Sequence, residues 1–584
     1  MGEARPRTLA VFTDWAAERY GPEPALRFRP RTPAAGADPL WETRDYEELR
    51  EAASAVGRAL LARGVAAGDR VAVLAETCPE WTYAHFGILA CGAVLVPVYP
   101  TAGEEELAWV LGDSGAVAVL CEDGAQEGRV AALRGRLPAL REVLPLDAGA
   151  GPDGHRHLAG ALAARAAAVV PGDGAAIVYT SGTTGPPKGC RLTHGNLGAV
   201  QDATLPLVRG GPGDSTYLYL PLAHLLAQLI QFTTLLEGGE LCYFGGRIEE
   251  VLGELAEARP THLPSVPRLF EKVHAVVRSL AESEEGGAER FREAVRLGLL
   301  AAEGRLPAES AEAHRAAEEV LYGPVRASFG GRLRWALTGG APIDPETLDF
   351  LRACGIAVFE GYGMTESAGV ISLNHPGAVR PGSVGRPVAG CEVRIAADGE
   401  VLARGPMVFP GYHGDPAGGG EVLDAAGWLH TGDLGRLDED GFLHITGRRK
   451  ELVITSAGKN LAPAEAEFAL QRSRYVSRAV LIGDRRPHPV ALITLDREEV
   501  AAWAARESVD AGAAPEEHPA VRALVEEAVA RANEGLSRPA RIRAFRILPG
   551  EFTVADGLLT PTLKLRRAAV AARYAAEIEE LYAP

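Results

Sequence analysis

The sequence has no Cys-x-x-Cys pair and no Cys/His spacing suited to a metal; its seven cysteines (Cys78, Cys91, Cys121, Cys190, Cys242, Cys354, Cys391) are odd in number and dispersed. That excludes a disulfide-framed secreted module and a zinc ribbon, and predicts reduced thiols in a cytoplasmic protein. Long apolar runs are also missing. The best of them, Phe86 to Val98, is too short to span a bilayer. Met1 to Thr8 has no apolar stretch behind its charges, so it does not read as a signal peptide. Basic charge is in deficit: 60 Lys and Arg face 77 Asp and Glu, a net charge of −17. A broad nucleic-acid or anionic-membrane surface is therefore excluded, though not a local basic pocket for a phosphorylated ligand. No internal repeat or long low-complexity linker breaks the chain. What is present is an ordinary globular composition, 47% hydrophobic and 23% charged, over 584 residues. That length predicts two to four domains.

The first half alternates helical and strand patterns. Tyr46 to Arg63, Pro79 to Gly92, Thr193 to Leu205 and Pro221 to Leu236 have helical apolar spacing. Arg70 to Ala75, Val94 to Val98, Ala116 to Leu120, Ala175 to Val178 and Glu240 to Phe244 read as strands. The alternation predicts an α/β fold with βαβ units and parallel sheet, in two such subdomains. Residues 281–329 are Glu- and Ala-rich and read as a solvated helical insertion. From about 385 to 447 short β-rich pieces between Gly, Pro and Asp turns predict a small antiparallel barrel or sheet. A compact α+β stretch follows, with a domain boundary placed between 447 and 448.

The most informative segment is Tyr179-Thr-Ser-Gly-Thr-Thr-Gly-Pro-Pro-Lys-Gly189, directly after a strand. Glycines let backbone N–H groups approach phosphate oxygens, hydroxyls add donors, and lysine adds a point charge. It does not fit G-x-x-x-x-G-K-[ST], because Gly185 is followed by Pro186 and Lys188 by Gly189. A second segment is Phe359-Glu-Gly-Tyr-Gly-Met-Thr-Glu-Ser367. It is not a dinucleotide fingerprint, since Glu366 stands at the third glycine position. An aromatic between glycines can lie on a purine ring, and a carboxylate four residues later can hold Mg²⁺ against phosphates. Gly427-Trp-Leu-His-Thr-Gly-Asp433 offers a carboxylate for ribose hydroxyls. Ile445-Thr-Gly-Arg-Arg-Lys450, Gly458-Lys-Asn460 and Leu559-Thr-Pro-Thr-Leu-Lys-Leu-Arg-Arg567 complete the set.

In this order the segments resemble the adenylate-forming (AMP-binding) superfamily over about residues 40–570. Leu220-Pro-Leu-Ala-His224, Val266-Pro-Arg-Leu-Phe-Glu-Lys272, the helical stretch 281–329 and the Leu559-Thr-Pro-Thr-Leu-Lys564 ending look like its long-chain fatty acyl-CoA synthetase branch. The resemblance implies a large N-terminal domain, residues 1–447, and a mobile small domain, 448–584. It implies an ATP-dependent ligase that activates an acid as acyl-AMP and passes it to CoA. The same resemblance assigns roles. Thr180, Ser181, Gly182, Thr183, Thr184 and Lys188 would hold the β- and γ-phosphates. Glu366, with Thr184, would hold Mg²⁺, with Thr365 beside the α-phosphate. Tyr362 and Gly363 would face adenine near Gly340 and Ala341, and Asp433 and Arg448 the ribose. Lys564 would bridge the acid and the α-phosphate, although Thr562-Leu563 stands where the common Ser-Gly ending would be; Lys459 is the alternative. His224 would sit at the acyl mouth, Lys450 at the hinge, where many relatives have Asp, and Gly458 beside the CoA arm.

The helix containing Leu222 to Ile230 is expected to line an acyl pocket. Chain length cannot be read from the sequence. Fatty acid would arrive from solution or by transient membrane contact. Three alternatives remain open: a fatty acyl-AMP ligase that loads an acyl carrier protein, a luciferase-like monooxygenase, and a non-catalytic adenylate-binding protein.

Overall fold

The computed structural model describes residues 5–30, 41–147, 155–180, 186–246, 250–414, 422–456, 459–553, 556–560 and 565–583. Two large mixed sheets dominate the first three-quarters of the chain. One has six strands in the order Glu142–Pro145, Ala118–Cys121, Arg70–Leu74, Val94–Val98, Gly174–Thr180 and Lys188–Thr193. All neighbours in it are parallel except the last pair, an antiparallel hairpin. The other has nine strands, and its centre runs Val358–Tyr362, Trp335–Thr338, His262–Ser265, Ser215–Leu218, Glu240–Tyr243, Pro24–Phe28, all parallel. Antiparallel strands close both of its margins. The central strands are apolar on both faces because helices or a second layer cover both, which is why they read as continuous apolar runs.

Helices fill the space between. Tyr46–Ala62 starts where Asp45 accepts the Glu48 N–H at 2.8 Å while Glu48 reaches back to the Asp45 N–H, a reciprocal cap. It packs against Pro79–Ala90, buried on nearly every side. Thr82 of the latter donates to Gln231, so this helix also touches the nine-stranded half. The close crossing rests on glycine. A methyl group on Gly87 would lie 2.6 Å from the Ala53 carbonyl oxygen and 2.9 Å from the Gly57 nitrogen. No helix among the described residues is long and apolar enough to cross a membrane.

Two sequence expectations change. The helix predicted from Pro221 starts only at Leu225; Pro221 to His224 forms a turn closed by the His224 N–H on the Pro221 carbonyl at 2.8 Å. The segment 281–329 is helical, but it is not a solvated appendage. Phe291, Tyr322, Val325 and Phe329 are buried in the main core. Its charged outer face dominates the composition, while a few aromatics do the packing.

After the large sheets comes a four-stranded antiparallel sheet, Glu392–Ile395, Glu400–Arg404, Leu429–Leu437 and Leu443–Arg448. The last part of the chain has its own three-stranded sheet, Val476–Ile482, Val490–Leu495 and Phe545–Ile547. Alternate residues face opposite sides of it: Ala479, Leu481 and Ile493 enter one apolar cluster, Val480 and Leu492 another. Across the junction Arg474 donates to Ser279 at 2.9 Å and Arg472 pairs with Asp344 at 3.3 Å. Half-exposed contacts of this kind contribute about 0–1 kcal/mol each.

Gly87→Ala should destabilise the large lobe by about 1–3 kcal/mol through overpacking against backbone. Gly128, helical and with open space around it, is the control: Gly128→Ala should leave the melting temperature unchanged or raise it. Thermal melts of both variants by circular dichroism check this; equal effects would contradict the glycine crossing.

Candidate active site

A single cleft of about 3810 Å³ is lined by both large sheets, the four-stranded sheet and the C-terminal lobe. At one end lies a three-residue network. Tyr362 ends a strand of the nine-stranded sheet and donates its hydroxyl to Asp433 Oδ2 at 2.6 Å. Arg448 Nε donates to Asp433 Oδ1 at 2.8 Å. Asp433 and Arg448 are directly paired across neighbouring strands, so backbone register brings them together. Asp433 is only 3% exposed. Burial and the adjacent carboxylate push the Tyr362 phenol far upward, so it stays a donor.

The phosphate-loop candidate spans the tip of a hairpin. Thr180 and Lys188 are cross-strand partners at its base. Ser181, Gly182, Thr183 and Thr184 lie outside the described residues. Lys188 Nζ stands 5.1 Å over the Tyr412 ring, and the Tyr412 hydroxyl donates to Glu366 Oε1 at 2.8 Å. Glu366 is 7% exposed. The Cys190 thiol lies against it, and burial holds that thiol well above its ordinary range, so it remains protonated. Sequence reasoning missed Tyr412: it lies in an irregular stretch with no motif, and only the tertiary fold carries it to Glu366. Among the described residues no three His, Cys, Asp or Glu side chains gather to hold a metal. Glu366, a single buried carboxylate lining the cleft, still fits Mg²⁺, which keeps several waters and needs only one or two protein carboxylates.

Thr365 and Glu366 share the tight turn Thr365–Ser367. Its exit, Gly369, has φ of +100°, and a methyl there would meet Leu229 Cδ1 at 2.4 Å. The Glu366 turn is therefore in close contact with the wall of the apolar helix Leu225–Leu236. Gly363, Gly340 and Ala341 line the same cleft. Two further residues were not foreseen. Glu360 is paired in register with Thr338, and both face the cleft. Burial alone pushes the Glu360 carboxyl up to about 7, and Thr338 Oγ1 is buried without a hydrogen-bond partner. Neither position stands out in the sequence, because the signal is desolvation rather than residue type.

His224 caps the helix Leu225–Leu236, its Nδ1 accepting the Leu226 N–H at 3.2 Å, and lines the cleft. Lys450 sits in the turn Arg449–Glu451 that leads out of the four-stranded sheet, and it too lines the cleft. Gly458 and Lys564 lie outside the described residues. The residues flanking Lys564 are informative: Leu559 and Leu565 form an antiparallel bridge, and both line the cleft with Thr560 and Arg566.

The raised Glu360 carboxyl carries a pH signature. Its ordinary value is 4.5 and its folded value about 7. Folding takes up a proton inside that window, so stability falls as pH rises through it and the full penalty is present above about 7. Glu360→Gln should melt above the parent at pH 8, with the advantage shrinking to nothing near pH 4.5. A difference constant across the window, or of opposite sign, would contradict this.

The comparisons with known proteins bear on the whole chain. Residues 13–413 match the AMP-binding enzyme family and residues 450–584 its C-terminal domain. The chain is 40% identical over 573 residues to the long-chain-fatty-acid–CoA ligase FadD15 of Mycobacterium tuberculosis, covering 93% of each. It is 31% identical to the peroxisomal long chain acyl-CoA synthetase 7 of Arabidopsis thaliana, covering 97% of this chain and 85% of that one. Among solved structures it superposes on the adenylation domain of a carboxylate reductase from Mycobacterium chelonae with a TM-score of 0.75 at 23% identity, covering 99% and 91%. With o-succinylbenzoate coenzyme A synthetase of Bacillus subtilis, solved with ATP and magnesium, the TM-score is 0.67 at 22% identity, covering 95% and 98%. The chain belongs to the AMP-binding enzyme family, with the family's large N-terminal region and its smaller C-terminal domain.

Proposed function

We propose that the protein is an AMP-forming long-chain fatty acid–CoA ligase. One observation carries this reading: the Tyr362–Asp433–Arg448 network, the base of the hydroxyl-rich hairpin, Glu366 and the apolar helix Leu225–Leu236 line one continuous cleft. A nucleotide and an acyl chain can therefore meet in it. The names of the relatives, long-chain ligases along most of the chain, favour fatty acid as the acid.

In the first half-reaction an acid carboxylate oxygen attacks the α-phosphorus of ATP. The new P–O bond gives acyl-AMP, and the bond to the β-phosphate oxygen breaks to release pyrophosphate. Two anions must approach, so cations and oriented donors have to offset their repulsion. Asp433 and Arg448 hold the ribose, and Tyr362 and Gly363, with Gly340 and Ala341, border the adenine. Lys188, Thr180 and the loop residues Ser181, Gly182, Thr183 and Thr184 orient the leaving pyrophosphate. Thr365 donates near the α-phosphate. Glu366 with the Thr184 hydroxyl would hold Mg²⁺, which would supply charge neutralisation to the phosphates when bound. Lys564 neutralises the carboxylate and α-phosphate as they approach. In the second half-reaction the CoA thiolate attacks the acyl carbonyl and AMP leaves. CoA needs room where Lys564 stood, so the domain 448–584 turns about Lys450 and exchanges Lys564 for Gly458 beside the pantetheine arm. The residues 385–447 are the β-rich part of the domain 1–447.

AMP release with ATP and CoA should be fastest with long-chain acids and slow with short or aromatic ones. If no acid gives CoA-dependent AMP, the ligase reading fails; AMP release that needs a carrier protein instead of CoA identifies the carrier-loading alternative. Lys564→Ala should slow acyl-AMP formation by at least about a hundredfold while thioester formation from supplied acyl-AMP stays within a few fold. Loss or survival of both half-reactions together would sink the assignment of Lys564.

A further inference from the structure

The hairpin that carries the phosphate-loop candidate is gripped from outside the cleft by one helix. Glu104–Ser114 lays Leu107, Ala108, Val110 and Leu111 on the six-stranded sheet, in one apolar cluster with Ala72, Val94 and Val119. Gly115 ends the helix in the left-handed conformation, with φ of +60°. Arg70 fixes that end, its Nε donating to the Ser114 carbonyl at 2.8 Å and its Nη2 to the Gly115 carbonyl at 3.0 Å. The helix is thus tied to the sheet along its apolar face and at its last turn.

Two of its side chains, Trp109 and Asp113, stand four residues apart and so lie on one side of it. Each takes one arm of the hairpin formed by Gly174–Thr180 and Lys188–Thr193. Trp109 Nε1 donates to the Pro187 carbonyl at 2.9 Å, one residue before Lys188. Asp113 Oδ2 accepts the Tyr179 hydroxyl at 2.5 Å, one residue before Thr180. Burial, and then the bond to Asp113, push the Tyr179 phenol upward, so it stays a donor. The Tyr179 ring also covers its cross-strand partner Gly189, where a methyl would lie 3.0 Å from Tyr179 Cζ. Pro187 has no N–H and its ring fixes φ, so its carbonyl is the one backbone group it can offer. Trp109 is 41% exposed, which apolar burial does not explain; the bond to the hairpin does.

Tyr179, Thr180 and Lys188 line the cleft, whereas Trp109 and Asp113 do not. These two reach a nucleotide only through the hairpin. Resting on the ligase reading above, we propose that Trp109 and Asp113 are positioning residues for the pyrophosphate end of ATP, a clamp that holds both arms of the phosphate hairpin to one helix so that Thr180 and Lys188 keep their places at the β- and γ-phosphates. The consequence is an asymmetry between the half-reactions. Acyl-AMP has no β- or γ-phosphate. The clamp therefore matters while ATP or pyrophosphate is bound and is idle when acyl-AMP meets CoA.

The test uses the full-length protein and measures the half-reactions apart: ATP–pyrophosphate exchange with a long-chain acid, and thioester formation from supplied acyl-AMP and CoA. Trp109→Phe keeps an aromatic ring and removes the N–H; Tyr179→Phe removes the hydroxyl. Each should raise the KM for ATP in exchange about three- to tenfold, the range of one lost hydrogen bond, and leave thioester formation within about twofold. Asp113→Asn keeps an oxygen that accepts from Tyr179 and should stay near the parent, while Asp113→Ala should match Tyr179→Phe. If exchange and thioester formation fall together, the residues only support the fold and the clamp is wrong. Unchanged exchange in Trp109→Phe and Tyr179→Phe overturns it as well, and the ligase reading stands in both cases. If Asp113→Asn loses as much as Asp113→Ala, the bond to Tyr179 is not what holds that arm and the clamp fails there. If the parent protein exchanges pyrophosphate with no acid and releases no AMP with CoA, the ligase reading fails and takes this one with it.

Discussion

The buried carboxylate of Asp433 is the constraint around which the rest of the cleft is arranged. It joins the end of a nine-stranded-sheet strand, through Tyr362, to two strands of the four-stranded sheet, through its own backbone and Arg448. A carboxylate so well shielded must be fully paired, and removing one partner from such a group costs about 3–5 kcal/mol. Its position therefore fixes how the small sheet sits on the large one. Arg448 is also the last residue before the turn Arg449–Glu451. Arg449 pairs with Asp398 and Glu400, and Arg567 with Glu451 and Glu467, so the connection to the C-terminal lobe is bounded by ion pairs on both sides. Arg448, which pairs with Asp433, and the turn that leads to the C-terminal lobe are thus adjacent in sequence.

Charge is divided by residue type. Of the 60 basic residues only five are lysines: Lys188, Lys272, Lys450, Lys459 and Lys564. Lys188, Lys272 and Lys450 line the cleft. Arginine does the structural pairing, in bidentate contacts such as Arg136 with Glu105. Its planar fork suits a fixed carboxylate, whereas an ammonium is a compact charge that can follow a moving phosphate. A strongly acidic protein can still offer a phosphorylated ligand local positive charge, because three of its few lysines line the cleft.

What the sequence disclosed follows from how local each signal was. Arg70–Leu74 and Val94–Val98 are continuous apolar runs, and Tyr46–Ala62 carries both its apolar stripe and its cap within a few residues. The glycine- and hydroxyl-rich segments pointed to a nucleotide because backbone access to phosphate demands particular residue types in a row. Tyr412, Glu360 and Thr338 were hidden for the opposite reason. Each matters through burial or a partner far away in the chain, such as Glu366 for Tyr412. The helices after Gly287 misled because their many charges mask the few aromatics that enter the core. Pro221 to His224 misled because an apolar stretch starting with proline fits a helix start, while the imidazole of His224 supplies a better cap three residues later.

The helix Leu225–Leu236 shows how one element can tie together two parts of a cleft. Its second turn holds Leu229 in the space left by Gly369, so the helix wall and the turn carrying Glu366 cannot shift independently. Its last turn instead meets Gln201, Thr216 and Glu237. The helix face that borders the cleft and the turn that carries Glu366 are therefore set by one packing contact, and a close-packed interior passes a displacement at Leu229 or Gly369 on to both.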